Sequence, residues 1–224
     1  MIRMQRLLIF GAGSLAKIIS QWLLESDKYS VAAFVVDDGY ESDKCIVGNA
    51  IPVISYSEAK KQYSAADIRF VIAVGYKSLR NRARVAKRIT NDGYSLESII
   101  SKSALIDTSV KLGEGCIVFP NVTIEPFCDI GANNIFWSGT IICHDVKIGE
   151  HNFFAAGSLI GGEVSIENLC FFGFRSVVIH QLTLASETLI GAASMLSSNS
   201  ESAAKYTGTP AKLRGFHHEY GIQI

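Results

Sequence analysis

The sequence predicts two folds in one chain: a Rossmann-like α/β parallel sheet in residues 1–101 and a left-handed parallel β-helix in residues 102–200. Two observations predict this. In the first part, short apolar runs alternate with stretches whose apolar residues recur at helical spacing. In the second part, a large apolar residue recurs at every sixth position, a period that suits a triangular coil and neither a helix nor a hairpin. Residues 201–224 form a C-terminal tail.

The α/β part begins with a strand at 6–10, where an apolar run ends at the turn Gly11-Ala12-Gly13-Ser14-Leu15-Ala16. A helix follows, because apolar residues then recur with a helical period. Further elements are predicted in order: strands at 31–36, 70–74 and 96–100, and a helix at 78–91. That helix is rich in basic residues, which we interpret as a solvated face and not a binding patch: Arg80, Arg82, Arg84, Lys87 and Arg88.

Three turns of this sheet meet at the carboxyl ends of its strands, where ligands of such sheets bind. Glycine lets backbone N–H groups approach a phosphate at a helix N-terminus, and aspartate can accept hydrogen bonds from a base or ribose. The three turns are Gly11 to Leu15, Asp37-Asp38 and Gly75. The alternative is that the glycines only form tight turns. A nicotinamide dinucleotide needs two mononucleotide halves, and this segment is too short for both.

The β-helix part contains three columns of residues at a spacing of six. The large apolar column should fill the interior, and it runs without a slip through Ile106, Leu112, Val118, Ile124, Ile130, Phe136, Ile142, Ile148, Phe154, Ile160, Ile166, Phe172, Val178, Leu184, Ile190 and Leu196. Glycine often follows, at 113, 131, 149, 161, 173 and 191, and is expected to permit the turn. Two residues before each apolar position the side chains are mostly small or of modest size. Cys116, Cys128 and Cys170 fall in this small column, so we interpret them as core and not as metal ligands.

Composition excludes several classes of partner. Lys plus Arg and Asp plus Glu each total 21, so the formal net charge is zero, which argues against nucleic acid or an anionic membrane. No apolar run reaches the roughly 20 residues that span a bilayer, and the first residues lack the cleavage site of a signal peptide. The five cysteines lack metal-type spacing, so we expect reduced thiols, no bound metal and a cytoplasmic protein.

Histidine is the natural candidate for a general base, because its ordinary pKa is roughly 6.5. His144 lies two residues after Ile142 and should therefore point outward, with Asp145 next to it to orient the imidazole. Positions that face the same way recur every 18 residues, so Gly162 should lie beside His144 and leave a gap for a thioester. The remaining histidines are interpreted as wall, corner or surface residues: His180, His151, His217 and His218.

A family resemblance rests on these features. Residues 102–215, with the six-residue repeat and the closing Gly208-Thr209-Pro210-Ala211-Lys212, resemble the hexapeptide-repeat acyltransferases. With the α/β part, the whole chain resembles the bacterial nucleotide-amino-sugar N-acetyltransferases and their relatives, the sialic acid O-acetyltransferases. The resemblance implies acetyl-CoA as co-substrate, a nucleotide sugar as acceptor and a homotrimer with sites between neighbours.

The resemblance also implies roles for single residues. His144 matches the family's catalytic base, and Asp145 the acidic residue after it. Family contacts to coenzyme A map to Gly162, Phe174 and Ala192. The family's nucleotide-sugar contacts map to residues of the three turns of the α/β part: Gly13, Ser14, Leu15, Asp37, Asp38 and Gly75. Cations of the tail could pair with the phosphates of coenzyme A or could simply be solvated: Lys205, Lys212 and Arg214.

Two departures from the family pattern are visible. Leu15 stands where many relatives have a histidine that helps to hold the diphosphate. Phe153 and Gly157 occupy the candidate positions of a second histidine near the acetyl group, so the acyl pocket is expected to be more apolar than usual.

The expected activity is N-acetylation of an amino sugar attached to a nucleotide, with His144 as the base. The amine should attack the thioester directly, because Cys143 is the one cysteine placed near the base and nothing marks it as a nucleophile. One alternative is O-acetylation of a sugar hydroxyl, including that of a sialic acid. A second is a non-catalytic sugar-nucleotide-binding protein that kept the repeat.

Overall fold

A computed structural model describes residues 4–24, 26–40, 51–74 and 78–222. Its contacts divide the chain into two compact units. The first contains Met1–Val74 and Arg84–Ile99, and the second contains Gly75–Ala83 and Ile100–Ile224. Within the described ranges, none of the helices is long and apolar enough to cross a bilayer.

The first unit is a parallel sheet with helices. Its strands are β1 (Gln5–Phe10), β2 (Tyr29–Val36), β3 (Val53–Ser55) and β4 (Ile68–Ile72). Its helices are α1 (Ser14–Leu24), α2 (Tyr56–Gln62) and the part of α3 (Leu79–Asn91) from Arg84 onward, since the first turn of α3 belongs to the second unit. The strands are all parallel, in the spatial order β3-β2-β1-β4. Leu7, Leu8 and Ile9 are fully buried, as expected where both faces of a parallel sheet are covered.

The predicted elements of this unit are largely present. The strands expected at 6–10 and 31–36 are confirmed as β1 and β2, and the strand expected at 70–74 begins and ends two residues earlier, as β4. Of the strand expected at 96–100, Ile99–Ile100 is regular, and Leu96 forms an isolated bridge with Phe70. The sequence analysis missed β3 and α2, which are short. Ser55 begins α2 by accepting a hydrogen bond from the backbone N–H of Glu58.

The interpretation of α3 as a solvated basic face is wrong for Arg82, and two further arginines of the helix form ion pairs while remaining partly exposed. Arg82 is 1 % exposed and lies beside the carbonyl oxygens of Gly115 and Asn133, and burial lowers its pKa to about 10. Arg80 forms a bidentate ion pair with Glu187. Arg88 pairs with an aspartate of the first unit, as described below. Arg84 and Lys87 are exposed, as expected.

The second unit is a left-handed parallel β-helix with three faces. The first face holds Ile99–Ile100, Ile117–Val118, Ile135–Phe136, Phe153–Phe154, Phe171–Phe172 and Leu189–Ile190, and it is extended by the hairpin Ala204–Gly208 and Ala211–Phe216. The second face holds Leu105–Ile106, Thr123–Ile124, Ile141–Ile142, Leu159–Ile160, Val177–Val178 and Met195–Leu196. The third face holds Lys111–Leu112, Asp129–Ile130, Lys147–Ile148, Ser165–Ile166 and Thr183–Leu184.

The predicted columns are confirmed inside this β-helix. The large apolar residues from Val118 to Leu196 are each at most 4 % exposed, and the rings of Phe136, Phe154 and Phe172 stack at 4.8 and 4.4 Å. Three cysteines of the small column are at most 1 % exposed, so their interpretation as core is confirmed: Cys116, Cys128 and Cys170.

The expected role of the glycines that follow the apolar column is wrong. Their backbone is not left-handed, and a Cβ on Gly113 or Gly173 would lie 2.6 or 2.5 Å from a backbone nitrogen of the next coil. They are needed because neighbouring coils approach closely. The residue with a left-handed backbone lies two positions later in the repeat. In some repeats this residue is a glycine, such as Gly115, Gly139 or Gly157, and in others it carries a side chain, such as Asp145 at φ 58°.

Candidate active site

His144 lies at the corner between the second and third faces, two residues after the strand that contains Ile142. Its side chain is 54 % exposed, which confirms the predicted outward direction. The left-handed backbone of Asp145 turns its carboxylate back along the chain, so that Oδ2 lies 2.9 Å from Nδ1 of His144. A carboxylate at this distance favours the tautomer with the proton on Nδ1, which leaves the lone pair of Nε2 to accept a proton.

The surroundings of His144 raise its pKa above the ordinary value for histidine. The hydrogen bond with Asp145 is the largest cause, desolvation opposes it, and the negative charges of Asp145, Glu125 and Glu163 add to the rise. Each of these carboxylates favours the protonated imidazole, which is the form that a general base reaches when it has taken up a proton. The arrangement therefore strengthens His144 as a base.

The imidazole lies directly over Gly162 in the next coil. A Cβ at position 162 would be 2.8 Å from Nε2 and 2.9 Å from Cε1 of His144. The expected gap beside Gly162 is therefore filled by the ring of His144 itself, because this side chain leans along the stack toward the following coil. Gly162 is not in the left-handed region, so its lack of a side chain is required by the ring and not by its backbone conformation.

The backbone of His144 is held from both sides. Its N–H donates to Oε2 of Glu125 at 2.9 Å, and its carbonyl accepts from the N–H of Glu163 at 3.0 Å. Gln181 donates in turn to the carboxylate of Glu163 at 3.2 Å. The sequence analysis missed both glutamates. The 18-residue period could have found them, because Pro126 and Gly162 are the positions stacked on His144, and Glu125 precedes the first while Glu163 follows the second.

The remaining cofactor candidates lie elsewhere on the β-helix. Phe174 and Ala192 are exposed and stack in adjacent coils at the corner between the first and second faces, and Phe174 is 64 % exposed. A ligand that contacts both this corner and Gly162 would lie across the second face. Three cations lie on the C-terminal hairpin, where Lys212 and Arg214 are exposed and Lys205 is half-buried.

In the first unit, the turn after β1 has one constrained and one open glycine. Gly11 has φ 120°, and a Cβ there would lie 2.6 Å from Cγ1 of Val74. Gly13 has open space around it, and α1 begins at the exposed Ser14. Leu15 is 2 % exposed and belongs to the core, so any ligand contact at this position has to come from its backbone. The candidate Gly75 lies outside the described residues.

The two aspartates after β2 have partners of their own. Asp37 forms an ion pair with Arg88 at 2.7 Å, and the guanidinium of Arg88 lies 4.5 Å from the ring centroid of Tyr56. Asp38 accepts hydrogen bonds from the backbone N–H and the hydroxyl of Ser57 at the start of α2, and these bonds lower its pKa. Both carboxylates are therefore oriented before any ligand arrives.

Other titratable side chains differ from expectation. His151 occupies a corner, but burial lowers its pKa to about 4, and His217 is 8 % exposed instead of lying on the surface. Burial raises the pKa of Cys143, which disfavours its thiolate. Phe153 is 5 % exposed and stacks on Phe171, which places an apolar ring on the first face.

Among the described residues, no three His, Cys, Asp or Glu side chains are grouped so that they could hold a metal ion.

Comparisons with known proteins agree with this two-part architecture. The family model of the PglD N-terminal domain matches residues 6–89, and that of the bacterial transferase hexapeptide (six repeats) matches residues 109–144 and 128–162. A mutant of GDP-perosamine N-acetyltransferase from Caulobacter crescentus, solved with CoA and GDP-perosamine, is 27 % identical, with a TM-score of 0.83 over 95 % of this chain and 98 % of that one.

Two further structures share the fold. The acetyltransferase domain of PglB from Neisseria gonorrhoeae is 20 % identical, with a TM-score of 0.82 over 93 % of this chain and 99 % of that one. WeeI from Acinetobacter baumannii is 21 % identical, with a TM-score of 0.79 over 94 % of this chain and all of that one.

Proposed function

Because the chain combines a PglD N-terminal domain with bacterial transferase hexapeptide repeats, we propose that it is an acyl-CoA-dependent sugar N-acyltransferase. Its acyl donor is acetyl-CoA, and its acceptor is an amino sugar attached to a nucleotide. The observation that carries this proposal is the exposed His144–Asp145 pair, whose free nitrogen Nε2 lies over Gly162. The acetyltransferase from Caulobacter crescentus with bound CoA and GDP-perosamine supports the class of both substrates.

The proposed reaction is a direct acyl transfer. Nε2 of His144 removes a proton from the acceptor amine while the nitrogen attacks the thioester carbonyl. The tetrahedral intermediate then collapses, the carbon–sulfur bond breaks, and the imidazolium returns its proton to the departing thiolate of CoA. Asp145 keeps the proton on Nδ1 and stabilises the imidazolium. The raised pKa of the half-buried Cys143 thiol speaks against an acyl-cysteine intermediate.

The nucleotide sugar is assigned to the α/β unit. The backbone N–H groups at the start of α1, from Gly13 to Leu15, are suited to a diphosphate. Asp37 and Asp38 follow the last residue of β2 at the same edge of the sheet and are suited to the base or ribose. Gly75 completes the predicted set, and Leu15 contributes its backbone alone.

Substitution of Asp37 or Asp38 by asparagine is expected to raise KM for the nucleotide sugar and to leave KM for acetyl-CoA nearly unchanged. Loss of a hydrogen bond to a charged group corresponds to a roughly tenfold to hundredfold loss of affinity, so KM should rise by that factor. Steady-state kinetics with each substrate varied in turn measures both constants. The matched control is Asp67→Asn, which alters an exposed aspartate just before β4. Equal rises of both KM values in the Asp37 and Asp38 variants would contradict two separate subsites.

A homotrimer is proposed on the character of the β-helix surface. The outward residues of the second face are mostly apolar, and Leu105 and Ile141 are 69 % and 37 % exposed. The outward residues of the third face are polar: Lys111, Asp129, Lys147, Ser165 and Thr183. An exposed apolar sheet face favours association, and the proposed coenzyme A contacts lie on both sides of this face.

The direct test of the proposed function is a screen of nucleotide-linked amino sugars with acetyl-CoA, followed by the release of free thiol. Each amino sugar is paired with the same nucleotide sugar carrying a hydroxyl in place of the amine. We expect thiol release with an amine and none with its hydroxyl counterpart. Release with a hydroxyl sugar or a sialic acid would favour O-acetylation. Calorimetric binding of coenzyme A without any turnover would favour a non-catalytic binding protein.

A further inference from the structure

Glu125 contacts the coil of His144 at two points. Its backbone N–H donates to the carbonyl of Ile142 at 2.9 Å, and Oε2 of its side chain accepts the backbone N–H of His144 at 2.9 Å. Glu125 is half-buried, and it belongs to the coil before that of His144. The two bonds hold the short segment from Ile142 to His144, from which the imidazole projects.

The same arrangement occurs a second time in the chain. Glu167 donates its backbone N–H to the carbonyl of Leu184 at 2.9 Å, and its Oε2 accepts the backbone N–H of Ser186 at 2.8 Å. The glutamate and the residue that it holds are 19 apart in both cases. A glutamate therefore holds a corner of this β-helix at two places, and only one of them carries a candidate base. The difference is that Ser186 carries a hydroxyl, whereas the residue held by Glu125 carries an imidazole.

The charge of Glu125 acts on the imidazole together with other groups. Among the described residues around His144, Asp145 and Cys143 lie on its own coil, Glu125 on the coil before and Glu163 on the coil after. Lys147 lines a groove with Asp145 and Glu163, so a cation lies close to two of these carboxylates. The three carboxylates all raise the pKa of His144, and Glu125 also raises that of Cys143.

We infer that Glu125 is a positioning residue for the His144 base, fixing its backbone through the carboxylate and stabilising the imidazolium that forms during acyl transfer. This role rests on the proposed function of His144. The carboxylate has two effects, a hydrogen bond to the backbone and a negative charge near the imidazole, and substitutions can separate them. Glutamine keeps an oxygen that accepts the backbone N–H but removes the charge, and alanine removes both.

The test compares Glu125→Gln and Glu125→Ala with the matched pair Glu167→Gln and Glu167→Ala. The readouts are the NMR titration of the imidazole Cε1–H of His144, assigned with His144→Asn, and the pH profile of kcat. Removing a negative charge disfavours the imidazolium, so the pKa of His144 falls. The base has to be neutral to act, so the acid limb of the kcat profile moves to lower pH.

For Glu125→Gln we expect the titration midpoint of His144 and the acid limb to move down together by roughly half a pH unit. The plateau kcat should fall about threefold to tenfold, with KM for the nucleotide sugar unchanged. For Glu125→Ala the plateau kcat should fall by about tenfold to hundredfold, because the imidazole also loses its fixed position. Both Glu167 variants should leave the midpoint, the acid limb and kcat as in the parent.

Two results would overturn the assignment: an unmoved His144 titration in Glu125→Gln, or an equal shift in Glu167→Gln. The NMR titration does not require turnover, so it tests Glu125 even if the acceptor proves to be different. Failure of the proposed function shows up separately, as a parent protein that releases no thiol or a His144 variant that keeps its full activity.

Discussion

Replacement of His144 by alanine or asparagine is expected to lower kcat by about 10²–10⁴-fold, the contribution of a positioned general base. The β-helix should remain folded, because the side chain is 54 % exposed and the interior below it is filled by Ile142 and its neighbours. The loss should appear in kcat, since the imidazole acts on the proton that moves during the reaction and not on the nucleotide that anchors the substrate.

The measurement is steady-state kinetics of thiol release, with a thermal unfolding curve for each variant. His218→Asn is a suitable control, because it makes the same substitution at an exposed histidine of the tail. Unchanged turnover in a folded His144 variant would exclude this residue as the base.

Substitution of Gly162 by valine is expected to lower kcat by about 10²-fold or more, because the new side chain would take the place of the catalytic ring. Its Cβ alone would lie 2.8 Å from Nε2 of His144, well inside contact distance, so the imidazole has to move. A displacement of about 1 Å in a catalytic group can cost two orders of magnitude. Valine itself suits an extended strand, and the backbone of Gly162 is not left-handed, so the coil should accept it.

The control for Gly162→Val is Ala132→Val, which places valine two residues after Ile130, at the same position of the repeat on another corner. Light scattering should first show that both variants keep the oligomeric state of the parent. Calorimetric titrations with coenzyme A and with the nucleotide lacking its sugar then show which of the two binding sites the substitution affects. We expect weaker binding of coenzyme A and unchanged binding of the nucleotide. A folded Gly162→Val variant with the turnover of the parent would disprove the contact between this position and the base.

The repeat made much of the second unit predictable. A period of six assigns every side chain to the interior or the exterior, so the outward direction of His144 and the burial of Cys116 and Cys170 followed from counting alone. The period does not fix side-chain torsions. The sequence therefore predicted that His144 and Gly162 lie close together, but only the structure shows that the imidazole ring lies over Gly162.

Contacts between distant parts of the sequence were not predictable. Arg80 and Glu187 are 107 residues apart, and nothing local marks them as a pair. The basic side chains of α3 have the spacing of a solvated helix, yet Arg82 is buried, with the backbone carbonyl oxygens of Gly115 and Asn133 beside its guanidinium. Asp37 and Asp38 were predicted from the sheet edge, whereas their partners Arg88 and Ser57 come from elements far along the chain.

The stacking of Gly162 under His144 has a consequence for the way in which such chains can change length. An insertion of one whole coil of 18 residues elsewhere in the repeat keeps every later residue on its face and lengthens the molecule by about 4.8 Å. Inserting a single six-residue unit between His144 and Gly162 also preserves the apolar interior, so the protein could still fold. It would, however, rotate Gly162 to the next corner and bring another residue under the imidazole. The contacts of His144 therefore tolerate changes of chain length by whole coils outside the segment 125–163, whereas within this segment an insertion that preserves the fold still removes a contact of the base.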